Sequence, residues 1–105
     1  MSSHDSRLHR VWFPIGVRTA EGDERTAIAL AVSASGVLVA CSDRFAVGDR
    51  VRLSFRARAS DAAERAIGGS VRRVRESPSE RGPWRCRMTV HFDEEQPELA
   101  GVLAP

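Results

Sequence analysis

The sequence contains no lysine and no tyrosine, so every one of its 16 Lys/Arg positions is an arginine. Without lysine there is no phosphate-binding loop of the kind in which glycines precede a lysine. Its three histidines, His4, His9 and His91, are scattered, and no Ser–His or Cys–His grouping has an acidic partner at motif spacing. Only two cysteines occur, Cys41 and Cys86, far apart and each at an apolar alternating position. They make no disulfide framework and no Cys-x-x-Cys metal spacing; small core residues are the better reading, with a redox or metal role as the alternative. No apolar run approaches the ~20 residues of a membrane helix, and the polar N-terminus is unlike a signal peptide. The expectation is a cytoplasmic, non-catalytic protein with no membrane span and no resident cofactor.

What is present is an ordinary globular composition, 42% hydrophobic and 29% charged. A chain of 105 residues makes one domain, expected over residues 7–105 behind a mobile polar tail at residues 1–6. The net charge of +2 conceals an asymmetry. Residues 43 to 75 hold nine arginines against four acids, and Asp93, Glu94, Glu95 and Glu98 form an acidic end. The arginine bias has two readings, the base composition of the gene and a functional basic face, and the sequence leaves both open.

Hydrophobic periodicity divides the chain into six short strands. Val11–Val17 is the first, with Pro14 marking an edge or a bulge because it cannot donate to a ladder. A polar hairpin turn at residues 19–25, centred on Gly22-Asp23, leads to strands at Thr26–Val32 and Gly36–Ser42. The break between those two, Ser33-Ala34-Ser35-Gly36, is a tight turn in which Gly36 supplies a positive φ or room for a ligand. In the fourth strand Val51, Leu53 and Phe55 take one face, Arg50, Arg52, Ser54 and Arg56 the other. Ser60–Arg65 is too short for a stable helix and reads as a loop. The fifth strand spans Ala66–Arg75, with a bulge or bend at Gly68-Gly69. In the sixth, Trp84, Cys86, Met88, Val90 and Phe92 alternate with Arg85, Arg87, Thr89 and His91. Pro97–Leu103 is expected to form a short closing helix. The fold class is therefore all-β, a small barrel or sandwich, and periodicity alone fits an OB-like barrel as well.

Several segments, in order, resemble the PilZ domain family. Ala31-Val32-Ser33-Ala34-Ser35-Gly36 resembles its Asp/Asn-x-Ser-x-x-Gly signature, and Arg7-Leu8-His9-Arg10 its arginine-bearing leader. Val47-Gly48-Asp49-Arg50-Val51-Arg52-Leu53-Ser54-Phe55, Ile67-Gly68-Gly69-Ser70-Val71-Arg72-Arg73-Val74 and the ending Val90-His91-Phe92 resemble its later strands. The resemblance spans residues 7 to 95. It implies a six-stranded antiparallel barrel with a C-terminal helix, acting in bacterial second-messenger signalling and motility. It further implies that cyclic di-GMP is held by the leader and the turn, here Arg7, Arg10, Ser33, Ser35 and Gly36.

Two departures fall on those groups. The family's acidic or amide residue is Ala31, and its Arg-x-x-x-Arg pair is one residue short, so that in strict register one arginine lands on Ser6 or Val11. Losing a carboxylate and one arginine removes roughly 3–6 kcal/mol, or about two to four decades of affinity. The first expectation is therefore a regulatory adaptor working by protein–protein contact, with weak or no cyclic di-GMP binding. Its contact face would be the arginine row Arg50, Arg52 and Arg56, with Arg72 or Arg73 beside it, meeting a regulatory or motility protein. The arginines of strands four and five are expected to lie away from the turn and not to make up the loss; the alternative is a working cyclic di-GMP receptor with an altered pocket of the Arg7/Arg10 leader and the Ser33–Gly36 turn. A nucleic-acid binder using Arg50, Arg52, Arg56, Arg58, Arg72, Arg73 and Arg75 ranks third, because aromatic residues are few and Phe55 and Phe92 point inward.

Overall fold

The computed structural model describes residues 8–42, 44–56, 64–76, 84–97 and 99. Six antiparallel strands, β1 (His9–Thr19), β2 (Glu24–Val32), β3 (Gly36–Cys41), β4 (Arg50–Arg56), β5 (Glu64–Glu76) and β6 (Cys86–Phe92), close into a barrel. Their order is β1-β2-β3-β6-β5-β4, with β4 returning to β1. The inward faces fill the interior with Val17, Val39, Leu53, Phe55, Val71, Met88 and Val90, all essentially inaccessible. The alternation read on β4 and β6 holds: Val51, Leu53 and Phe55 are buried in one cluster with Cys86, Met88, Val90 and Phe92. Trp84 lies just before β6 and is half-buried.

Closure changes several local expectations. Pro14 is not on an edge, because β1 pairs with both β2 and β4. The alternative holds instead, since the β1–β2 register shifts between Arg10 and Phe13, immediately before it. Pro14 itself is exposed on the outer face. Glu64 and Arg65 do not belong to a loop but extend β5, opposite Arg56 and Phe55; residues 57–63 lie outside the described residues. The β5 bulge falls between Val71 and Arg73 and not at the glycine pair. Gly68-Gly69 serves close approach instead: a Cβ on Gly69 would stand 2.6 Å from the His91 carbonyl oxygen.

Cys41 and Cys86 meet as register partners across β3 and β6, both within the core and not joined by a disulfide. At the far end Leu99 is fully buried in the same core, its N–H donating to the Gln96 carbonyl at 3.1 Å. The closing helix expected over Pro97–Leu103 falls almost wholly outside the described residues, as does the tail at residues 1–6. No helix among the described residues is long and apolar enough to cross a membrane.

Candidate functional site

The Ser33–Gly36 turn is held by its own first side chain. Ser33 is 5% exposed, and its hydroxyl accepts from the backbone N–H of Ser35 at 3.3 Å and of Gly36 at 3.2 Å. The Ser33 N–H donates to the Gly36 carbonyl at 2.8 Å, closing the turn. A short polar side chain that satisfies the backbone two and three residues on is the usual reason for serine at such a position. Ser33 therefore shapes the turn, while the half-buried Ser35, its hydroxyl 3.3 Å from that of Ser33, borders the space outside. Gly36 does not adopt a positive φ; among the described residues only Gly22 and Gly48 do. A Cβ on Gly36 would sit 2.5 Å from the Val90 carbonyl oxygen, so the approach of β6 by itself requires glycine there.

The turn is also tied to the chain beyond β6. Phe92 donates its N–H to the Ser35 carbonyl at 2.8 Å, and Gln96 donates to the Ala34 carbonyl at 2.7 Å. Both bonds fix the turn against the segment that leads to the buried Leu99.

Register partners carry the outer face from one strand to the next. Arg10 lies opposite Ala31, Ala31 opposite Leu38, Leu38 opposite Thr89, and Thr89 opposite Arg73. Strands are spaced by about 4.8 Å, so these four steps place Arg10 and Arg73 about 19 Å apart along the surface. Between them lies a floor of small and apolar side chains, and the neighbouring positions Val37, Val39, Met88 and Val90 point into the core. The next outward row brings Ala40, Arg87 and Arg75 together. The β5 bulge leaves two consecutive arginines, Arg72 and Arg73, exposed, which is how a bulge re-aims side chains.

On this face opens a groove of about 450 Å³, whose lining takes in Leu38, Thr89 and Arg73 of the first row but neither Arg10 nor Ala31. The turn residues Ser33, Ser35 and Gly36 bound one side, the largely exposed Leu8 contributes to the lining from the leader, and Leu38 and Thr89 lie in it. Arg72, Arg73, Arg75 and Arg87 form the wall opposite the turn, with His91 beside them. The arginines of the fifth strand thus do not lie away from the turn, as the sequence suggested; they share its groove, and sequence reasoning missed Leu8, Leu38, Arg87, Thr89 and His91. For Arg87, Thr89 and His91 the signal was the outward alternation of β6, which could not say what stood beyond it.

The arginine row expected as one contact face is divided. Arg50 makes a two-armed ion pair with Asp93, at 2.9 and 2.6 Å. The guanidinium's hydrogen bonds and charge hold the Asp93 carboxyl below its ordinary range and raise Arg50 above its own. Arg52 lies opposite Arg18, which bonds Glu24 at 3.1 Å. Arg56 ends β4, and Arg7 and Arg58 lie outside the described residues. Arg72 and Arg73 belong to the groove and not to this face. Among the described residues, no carboxylate pairs with Arg72, Arg73 or Arg75. No group of three or more His, Cys, Asp or Glu among them could hold a metal ion.

Solved structures that resemble this fold include two PilZ-type proteins. The Bacillus subtilis inhibitor of motility, MotI/DgrA, superposes with a TM-score of 0.71 at 19% identity, covering 98% of this chain and 48% of that one. This chain thus spans about half the length of MotI/DgrA. The PilZ domain of CeSA from a cellulose-synthesizing bacterium gives a TM-score of 0.63 at 16% identity, over 93% of this chain and 91% of that one. At such identities the likeness is one of fold. No curated protein matches the chain. The family model of the PilZ domain matches residues 4–103, nearly the whole barrel with its leader and turn, and the chain belongs to the PilZ domain family.

Proposed function

We propose that this domain is a non-catalytic, cytoplasmic regulatory module that takes a ligand of the cyclic di-GMP type in the outer groove and acts through contact with a regulatory or motility protein. The observation that carries this reading is the shared groove: Arg72, Arg73, Arg75 and Arg87 line the same space as Ser33, Ser35 and Gly36. Its volume lies in the range of small-molecule sites. The loss of a carboxylate at position 31 and of one leader arginine weakens the motif side by roughly 3–6 kcal/mol. Each charge-assisted hydrogen bond from the opposite wall restores about 1.5–3 kcal/mol, so two of them offset the loss. This favours an altered receptor over an adaptor without a ligand. A nucleic-acid strand, which needs successive stacking platforms, is disfavoured because Phe13, Phe45, Phe55 and Phe92 are all buried and, among the described aromatic residues, Trp12 alone is largely exposed.

The protein-contact half of the proposal rests on the family and on a single likeness. MotI/DgrA is by its name an inhibitor of motility, and a motility protein is the class of partner proposed here. Titration calorimetry with cyclic di-GMP, and then with a short single-stranded DNA, tests the ligand half. Saturable heat with the dinucleotide and none with DNA is expected. Silence with cyclic di-GMP returns the domain to an adaptor that needs no ligand.

A further inference from the structure

The groove is lined unevenly by chemistry. The described lining contains Ser33, Ser35, Thr89 and His91 as polar groups and four arginines, but no aspartate, glutamate, asparagine or glutamine. The Ser33 hydroxyl is engaged within its own turn. Arginine is a donor only, five N–H groups in a rigid fork and no lone pair. A site walled by arginine recognises acceptors: phosphate oxygens, and the O6/N7 edge of a purine of the guanine type. Where the family motif has an acidic or amide residue, this chain has Ala31, 7% exposed, opposite the groove residue Leu38 and not itself in the lining.

Resting on the receptor reading, we infer that Arg73 and Arg75 on β5, not the leader and turn, anchor the ligand, and that the groove reads its phosphates and acceptor edge while leaving the 2-amino group unread. Arg73 and Arg75 are two residues apart on one strand, so both project to the outer face. Both are exposed, and neither is neutralised by a described carboxylate. Arg73 stands at the end of the Arg10–Ala31–Leu38–Thr89 row. A flat base lying on Leu38 and Thr89 would carry its phosphates towards that end. A base donor in the groove meets no carboxylate or amide oxygen of a described side chain, so its presence or removal changes little.

The test compares cyclic di-GMP with cyclic di-IMP, which differs by lacking the 2-amino group, on the intact chain by calorimetry. Arg73→Ala/Arg75→Ala should weaken cyclic di-GMP about 100-fold, the effect of two charge-assisted hydrogen bonds, and Arg10→Ala by much less. Arg73→Lys/Arg75→Lys keeps the charge but loses the fork, and should fall between. Because all these side chains are exposed, an unchanged melting curve confirms that the variants are folded. Cyclic di-IMP should bind within about threefold of cyclic di-GMP, since a hydrogen bond not made costs nothing to remove. A larger loss from Arg10→Ala than from the β5 pair overturns the anchor. Cyclic di-IMP weaker by tenfold or more overturns the unread 2-amino group. A single-stranded oligonucleotide that outcompetes both dinucleotides overturns the small-ligand assignment. If neither dinucleotide binds the unaltered chain, the receptor reading itself fails and takes this inference with it.

Discussion

Two regions of the barrel surface use the same residue in opposite ways. On the β1–β4 side, Arg18 is matched by Glu24 and Arg50 by Asp93, the second pair through both arms of the guanidinium. On the β5–β6 side, Arg72, Arg73 and Arg75 stand in a groove without a described carboxylate. Sixteen arginines and no lysine therefore do not make one basic face. Paired arginines fasten β1 to β2 and the start of β4 to the segment after β6, whereas unpaired ones leave their donors available to an anion. The difference lies in what the topology places opposite each side chain, not in the residue type.

The largest expected effect tests whether the two regions share one support. Phe92 is 3% exposed, packs in the common core and donates its N–H to the Ser35 turn. Phe92→Ala should cost about 3–5 kcal/mol in chemical denaturation and unfold both faces together. A cost below about 1 kcal/mol would mean the residue is not the shared support the packing implies. A smaller effect separates shape from contact in the groove. Ser33→Ala removes the hydroxyl that satisfies two backbone N–H groups, and should cost about 1–2 kcal/mol in stability. Its ligand affinity should follow the loosened turn, so a variant of unchanged stability and lost binding would make Ser33 a direct ligand.

The smallest effect belongs to the paired side. Asp93 titrates below its ordinary range because of Arg50, so its contribution to stability is complete above the ordinary carboxylate range. That contribution fades as pH falls through the lowered value. Arg50→Ala should flatten this acid limb of the melting temperature while leaving ligand affinity unchanged. An unaltered acid limb would show that the clasp does not contribute in solution, as many exposed pairs do not.

Much of the barrel was legible in the sequence because β4 and β6 repeat with period two. Leu53, Phe55, Met88, Val90 and Phe92 could be assigned inward from local alternation alone. What was not legible depends on partners distant in sequence. Closure of β4 onto β1 removed the edge expected at Pro14. The one-residue shift after Val71, which exposes Arg72 and Arg73 together, is set by pairing with β6. Gly36 was read for its backbone freedom, yet it is fixed by the Val90 carbonyl, a contact no local pattern encodes. The groove escaped for the same reason: its two walls, at the Ser33 turn and at Arg73–Arg75, lie about forty residues apart in sequence and meet only through β6.

The central claim is that the unpaired arginine side is the ligand site. The direct measurement is amide chemical-shift mapping of the isotope-labelled chain during titration with cyclic di-GMP. Shifts concentrated on Leu38, Arg73, Arg75, Thr89 and His91, with Arg18, Arg52 and Gly68 unmoved, are the predicted result. Shifts centred on Arg18, Arg50 and Arg52, or none at saturating ligand, would contradict it.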